Sequence, residues 1–135
     1  MLHKSTGIVQ YGVDNVGFVK VIVTVDPEIY RYYFSLIPKY IDIQPQLYPA
    51  HISVVRKESV IDLSHWQLHD NEVIEFYYDS VIKHGEVYWW LDAFSIQLEQ
   101  IRVELGLSIE EHYTIPPEPF YKTFHISLGN SKLFL

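Results

Sequence analysis

The chain has 135 residues and no cysteine, which excludes disulfides, a thiolate nucleophile and cysteine-ligated zinc or iron–sulfur sites. It has no apolar run near the roughly 20 residues of a membrane-spanning helix, and residues 1–7 lack the apolar stretch of a signal peptide. It also has no G-x-G-x-x-G, P-loop or G-x-S-x-G motif, so nothing indicates a nucleotide cofactor or a serine hydrolase. We therefore expect a cytoplasmic protein that uses no cofactor.

Basic residues are also scarce, since ten Lys and Arg stand against seventeen Asp and Glu and give a formal charge of −7. A long nucleic acid is usually held in a basic groove, which here would have to form against the net charge of the chain. We therefore expect a small ligand, and neither a long nucleic acid nor a membrane as partner. The length and a hydrophobic share of 48% predict one globular domain.

Histidine followed two residues later by a hydroxyl residue is over-represented in this chain. Composition predicts roughly 0.7 such matches by chance, and the sequence holds four. Two of them are copies of one phrase, His51-Ile52-Ser53-Val54 and His125-Ile126-Ser127-Leu128, and each lies in an apolar run typical of a buried strand. Side chains at i and i+2 of a strand point the same way, so each copy presents a proton-transfer group and a hydroxyl donor together.

The other two matches lie in less favourable contexts. His3 is close to the start of the chain, where no apolar run holds it, and such ends usually fray. His112 follows two glutamates and precedes two prolines, which is typical of a connection and makes it a weak rival. The candidate catalytic residues are therefore His51, Ser53, His125 and Ser127.

The order of predicted elements repeats in the two halves of the chain. The pairs are a strand over 18–25 with a helix over 27–36, and a strand over 86–92 with a helix over 94–105. Asp26 and Pro27 favour the start of the first helix, and Gly106 ends the second. A proline-containing loop and a His-Ile-Ser strand follow each helix, with Asp26 and Asp92 at corresponding positions. We expect further strands over 7–11 and 72–78, and turns at 14–15 and 79–85.

This order predicts an α+β fold with mostly antiparallel sheet, in which two pseudo-twofold lobes bring the His-Ile-Ser strands to a shared groove. The two strands, the run V-Y-W-W-L-D-A-F-S, a helix ending in L-G-L, and the run F-H-I-S-L-G together resemble the 2H phosphoesterase superfamily. The resemblance covers residues from about 18 to 129. It departs from many members at Phe124, where they have a proline before the second histidine.

The resemblance implies a bilobal fold with two mostly antiparallel sheets around a central cleft and helices outside. It also implies metal-independent attack on a phosphodiester, often a 2′,3′-cyclic nucleotide or an RNA end, by the four candidate residues. The acidity is most similar to that of small phage-encoded members, some of which degrade cyclic oligonucleotide signals of bacterial immunity. A protein of that kind would act in the host cytoplasm on a cyclic dinucleotide or trinucleotide.

Phosphodiester cleavage needs one group that removes a proton from the attacking oxygen and one that protonates the leaving oxygen. Imidazole suits both roles, because its ordinary pKa of about 6.5 lies near neutrality. Ser53 and Ser127 would donate hydrogen bonds to the non-bridging oxygens as charge develops there. The resemblance favours His125 as base and His51 as acid, whereas the residues themselves leave the assignment open.

Two further kinds of site have weaker signals. Tyr11 and Tyr121 are candidate substrate-binding residues that could stack on a base, ahead of Trp66 and Tyr113. His65 and His69 have the spacing of metal ligands on a helix, with Asp70 adjacent, but the segment is polar and lacks an H-E-x-x-H motif. We therefore expect no metal site.

Three alternatives to cleavage of a cyclic oligonucleotide stay open at this point. The protein could act as a 2′,3′-cyclic phosphodiesterase or process RNA ends with the same four residues. It could have the same fold and bind a nucleotide without cleaving it. It could also be an interaction protein whose surplus aromatic residues form a partner surface, in which case nucleotides would not stabilise it.

Overall fold

A computed structural model describes residues 1–131 of the chain, and their fold is α+β, as the sequence predicts. None of the helices in this range is long and apolar enough to cross a membrane. The elements in chain order are β1 (Leu2–Val13), β2 (Val19–Thr24), α1 (Pro27–Leu36), β3 (Gln44–Pro45), β4 (His51–Val55), β5 (Val73–His84), β6 (Tyr88–Phe94), α2 (Ile96–Glu104) and β7 (Phe124–Asn130).

Both helices begin and end where local chemistry favours it. The side chain of Asp26 accepts a hydrogen bond from the Glu28 amide at 2.9 Å, and Pro27 occupies the first position of α1. Ser95 caps α2 in the same way. Gly106, at a φ of +74°, follows the C-cap of α2 in the left-handed conformation that favours glycine. The predicted helices are thus confirmed, with α2 shorter than its apolar pattern.

Two strands are longer than the sequence predicts. The prediction that His3 lies in a frayed end is wrong, because β1 begins at Leu2 and pairs with β5, where His3 faces Tyr78. The predicted turn over 79–85 is also wrong for most of its length. The strand β5 continues to His84, and an irregularity between Tyr78 and Ile82 absorbs the extra residues.

All the strands belong to one sheet, which closes on itself. The order is β3-β7-β4-β2-β1-β5-β6, and β6 also pairs with β7, so six strands form a closed antiparallel ring. The short β3 adds to the far end of β7. Two separate sheets around a cleft, as the resemblance implies, do not match this arrangement. The reason lies in the pairings β1–β5 and β4–β7, which join the two halves along both edges.

The two halves nevertheless repeat one topology. Each consists of two strands, a helix and a third strand, and in each the middle strand of the sheet is the second in sequence. In the register, Thr24 of β2 faces His51, and Asp92 of β6 faces His125. The counterpart of Asp92 in the first half is therefore Thr24, and the predicted correspondence with Asp26 is displaced by two residues.

One face of the sheet and both helices enclose a continuous core. Alternate residues of the strands point into it, among them Ile52 and Ile126, neither of which has any exposed surface. The helices contribute Tyr33 and Ile37 from the first half, and Leu98, Ile101 and Leu105 from the second. Because the inward positions are apolar, the intervening positions of β4 and β7 face away from the core.

The helix α2 also holds the chain on either side of the two His-Ile-Ser strands. Arg102, which is 5% exposed, donates to the Val54 carbonyl at 2.8 Å and makes two hydrogen bonds to the Glu58 carboxylate. Glu99, equally buried, accepts from the amides of Tyr121 and Lys122 at 2.8 and 3.0 Å. One helix therefore fixes the end of β4 and the approach to β7.

A close approach between β1 and β2 gives a test of this packing. A β-carbon at Gly7 would overlap the Thr24 carbonyl oxygen and lie 2.6 Å from Cγ1 of Val23. We expect Gly7→Ala to lower the free energy of unfolding by about 1–3 kcal/mol, as overpacking does. Gly85→Ala is the matched control, because nothing lies within 4 Å of its β-carbon. Urea unfolding measures both, and equal stability of the two variants would contradict the packing.

Candidate active site

The two His-Ile-Ser motifs lie side by side on neighbouring antiparallel strands. Ile52 of β4 pairs with Ile126 of β7, and both side chains are in the core. One step along the strands in either direction, His51 stands opposite Ser127, and Ser53 stands opposite His125. All four side chains therefore lie together on the face turned away from the core, where they are half-buried or exposed.

The arrangement has a local twofold axis between Ile52 and Ile126, because an antiparallel pair relates its two strands in that way. Directly opposite β-carbons are about 4.5–5.5 Å apart, and diagonal ones about 7–8 Å. The two histidines lie on one diagonal and the two serines on the other. A phosphate at the centre would thus have an imidazole on two opposite sides and a hydroxyl on the other two.

The ring of His51 has a defined tautomer. Its Nδ1 lies 2.8 Å from the Pro49 carbonyl oxygen, which can only accept, so Nδ1 carries a proton and donates it. The other nitrogen, Nε2, is then the one that can exchange a proton with a ligand. Its neighbour across the β2–β4 pair is the neutral side chain of Thr24.

The surroundings of His125 differ, because its neighbour is the carboxylate of Asp92. His125 Nε2 lies 3.8 Å from Asp92 Oδ1, and Asp92 is only 3% exposed. The carboxylate is held by an ion pair with Lys83 and by the indole N–H of Trp90, at 3.0 Å from Oδ1. The Trp90 ring also contacts the His125 ring edge-on, with centroids 5.4 Å apart. His125 thus lies beside a buried charged group.

Partial burial of the ring lowers the pKa of His125 below its ordinary value of 6.5, because desolvation disfavours the charged form. The negative charges of Asp92 and Glu111 oppose the shift, and the positive charges of Lys122 and Lys83 add to it. His125 is consequently neutral at neutral pH, so Nε2 or Nδ1 can accept a proton. Its side chain remains 52% exposed, which leaves the ring accessible to a ligand.

Sequence reasoning did not identify Asp92, Lys83 or Trp90 as part of this site. Asp92 was aligned with Asp26 as the end of a strand, and only the register shows that it faces His125. The charge of Lys122 also acts on His125, although Lys122 precedes β7, which begins at Phe124. Strand alternation alone could not have placed these residues.

The two tyrosines proposed for substrate binding lie apart from each other. Tyr11 packs against the core side of the sheet, where its ring meets Trp66 edge-on at 4.9 Å. The structure therefore does not bring it to the face that carries the four candidate residues. Tyr121 is 68% exposed in the segment that leads into β7, four residues before His125. Tyr113 is almost fully exposed in the connection that also contains His112.

The residues with metal-ligand spacing lie in a series of turns and not on a helix. His69 is enclosed by two carboxylates, since Nδ1 lies 2.8 Å from Glu72 and Nε2 lies 2.9 Å from Glu104. Carboxylates accept only, so both nitrogens carry protons and the ring is an imidazolium. No cluster of three or more His, Asp or Glu in the described part of the chain is arranged to hold a metal ion. His69 instead ties this segment to α2.

No family model, no curated protein and no solved structure matches this chain. No residue role can therefore be transferred from a relative. The geometry of the four-residue cluster and the chemistry of its neighbours therefore indicate what the site can do.

The Asp92 carboxylate beside the ring predicts a change in the titration of His125. Asp92→Asn removes the negative charge nearest to the ring and leaves Lys83 unpaired, so we expect the pKa of His125 to fall further. An NMR titration of the imidazole Cε1 proton measures it, with the signal assigned by its absence in His125→Gln. Glu110→Gln, an exposed acid in the connection before β7, is the control. A raised or unchanged pKa in Asp92→Asn would contradict the assignment.

The contacts of His69 predict a pH dependence of stability. Desolvation disfavours its charged form, but hydrogen bonds to Glu104 and Glu72 outweigh this and raise its pKa above 6.5. The contribution of His69 to the free energy of unfolding is therefore fully present below about pH 6.5. It is lost as the pH rises through the raised pKa of the folded state. We expect urea unfolding to show less of this loss in His69→Gln, with the exposed His112→Gln as control. An identical pH profile in His69→Gln and the wild type would refute the role.

Proposed function

We propose that the protein cleaves a phosphodiester of a small cyclic nucleotide without a metal, as the resemblance to 2H phosphoesterases implies. The observation that carries the proposal is the Ile52–Ile126 register, which sets two histidines and two serines around one point. The repeated topology of the two halves also supports a relationship to that superfamily.

The environments of the two histidines support different roles. His125 is neutral at neutral pH, so it is the base that removes a proton from the attacking oxygen of water or of a ribose 2′-hydroxyl. His51 donates its Nδ1 proton to the Pro49 carbonyl, which leaves Nε2 to serve the leaving oxygen, and we assign it the acid role that the resemblance implies. A P–O bond forms to the attacking oxygen as the P–O bond to the leaving oxygen breaks.

Neighbouring side chains stabilise the charges that develop on His125 and on the phosphate during the reaction. When His125 takes up the proton, its new positive charge lies 3.8 Å from the Asp92 carboxylate, which stabilises it. Ser53 and Ser127, on the other diagonal, donate hydrogen bonds to the non-bridging oxygens of the phosphate as their negative charge grows. After the reaction both histidines have exchanged protons, and solvent at this exposed face restores them.

The charge of the protein favours a small substrate. The net charge of −7 opposes the approach of a long polyanion, whereas a cyclic dinucleotide or trinucleotide carries only a few phosphates. The same cluster would also open a 2′,3′-cyclic phosphate, with water as the attacking group. The two reactions use the same site but give different products, so a substrate panel with product analysis distinguishes them.

Removal of either histidine is the direct test of the proposal. We expect His51→Ala and His125→Ala each to lower turnover by about 10²-fold to 10⁴-fold, because general acid or base catalysis is lost. The assay resolves the products of cyclic mononucleotides, cyclic dinucleotides, cyclic trinucleotides and linear RNA, with and without EDTA. His112→Ala is the matched control, and circular dichroism verifies folding. Wild-type turnover in either folded variant, or inhibition by EDTA, would overturn the proposal.

A further inference from the structure

An open groove of about 930 Å³ adjoins the His51 side of the four-residue cluster. This volume is within the range of about 300–1,000 Å³ typical of small-molecule sites. Two lining residues connect it to the cluster, since Thr24 faces His51 across β2 and β4, and Ala50 directly precedes His51. The groove and the cluster are therefore parts of one surface.

The groove lies between the start of α1, the strand β1 and the loop that precedes β4. Its walls are mainly apolar and aromatic, and include Ile8, Tyr30, Leu47, Tyr48 and Val73. Leu47 is 92% exposed and Tyr48 is 66% exposed, so both side chains are accessible to a ligand. The Tyr48 ring is open to a ligand, whereas the half-buried Tyr30 ring already stacks on Phe34, with centroids 5.6 Å apart.

The corresponding place in the second half is filled by an aromatic ring of the chain itself. Phe120, in the loop before β7, stacks on Phe94 at 5.5 Å and contacts Tyr77 of β5 at 5.9 Å. These three residues lie in places that match the groove walls, namely a strand, the end of the strand that leads into a helix, and a loop before a histidine. When the histidines are aligned, Phe120 corresponds to Gln46, which is not aromatic. The first half therefore has an open space where the second half holds a ring.

The charges in the groove favour an uncharged occupant. Arg31 is the one cation among the described lining residues, and it is paired with Glu28. Asp26 also lines the groove, and its carboxylate caps α1. A second phosphate would meet an acid and no unpaired cation, whereas a neutral aromatic ring would meet apolar walls and tyrosine faces.

We propose that this groove binds the nucleobase of the nucleotide whose phosphate lies between His51 and His125, an inference that depends on the proposed function. The base stacks on the exposed ring of Tyr48, in the place that Phe120 occupies in the other half. The polar groups of Thr24 and the neighbouring β1 residues line the side of the groove next to the phosphate. The groove would thus determine which nucleotide is cleaved.

Binding and kinetics of Tyr48→Ala test this inference. Calorimetry compares adenosine 3′-monophosphate with ribose 5-phosphate, a phosphoester that has no base. We expect the wild type to bind the nucleotide at least tenfold more tightly, and Tyr48→Ala to lose about tenfold for the nucleotide alone. In turnover of a cyclic nucleotide the variant should raise KM with little change in kcat, because it removes binding common to ground and transition states. Val73→Trp, which fills the groove, should act in the same direction.

Tyr40→Ala is the control, since Tyr40 is 88% exposed and lies outside the groove. Unchanged nucleotide affinity in folded Tyr48→Ala and Val73→Trp would overturn the groove assignment, and so would equal affinity of the wild type for the two ligands. If the wild type still cleaves the substrate, the proposed function stands without the groove. If base-dependent binding is lost in Tyr48→Ala but the wild type cleaves nothing, the groove stands and the catalytic proposal fails.

Discussion

The antiparallel pairing of β4 with β7 at Ile52 and Ile126 is the constraint on which the rest of the site depends. It closes the sheet, and it sets the phase of both strands so that their isoleucines enter the core. A shift of one residue in either strand would turn a histidine and a serine into the core and two apolar residues outward. The hydrophobic core therefore enforces the register that gathers the four polar side chains on the opposite face.

Two buried charged residues hold this pairing in place. Glu99 and Arg102, both on α2, bind the backbone on the two sides of the motif strands through charge-assisted hydrogen bonds. Their positions alternate with those of Leu98 and Ile101, which pack in the core. A single helix thus combines apolar packing with polar contacts that determine where each histidine strand begins or ends. Small displacements of such groups matter, because acid–base catalysis depends on hydrogen-bond geometry.

Much of the fold follows from local sequence, while its closure does not. Caps at Asp26 and Ser95 and the stop at Gly106 define both helices, and apolar alternation locates the motif strands. The sequence could not show that the halves join along both edges, because strand pairing depends on contacts between residues far apart in the chain. For the same reason it located His51 and His125 but not Lys83 or Trp90, which approach His125 only through the β5–β6 and β6–β7 registers.

The pseudo-symmetry of the fold supplies an internal comparison for Asp92. A buried carboxylate costs desolvation energy even when it is paired, as Asp92 is with Lys83, so it seldom adds stability over an apolar residue. Its counterpart, Thr24, occupies the same place beside His51 and carries no charge, which shows that the topology does not require a charged group there. One position is charged and the other is neutral, and this difference matches the different roles proposed for the two histidines. The proposed reaction needs this distribution of charge. The base gains a proton and is stabilised by a neighbouring carboxylate, whereas the acid loses a proton and needs no charged neighbour.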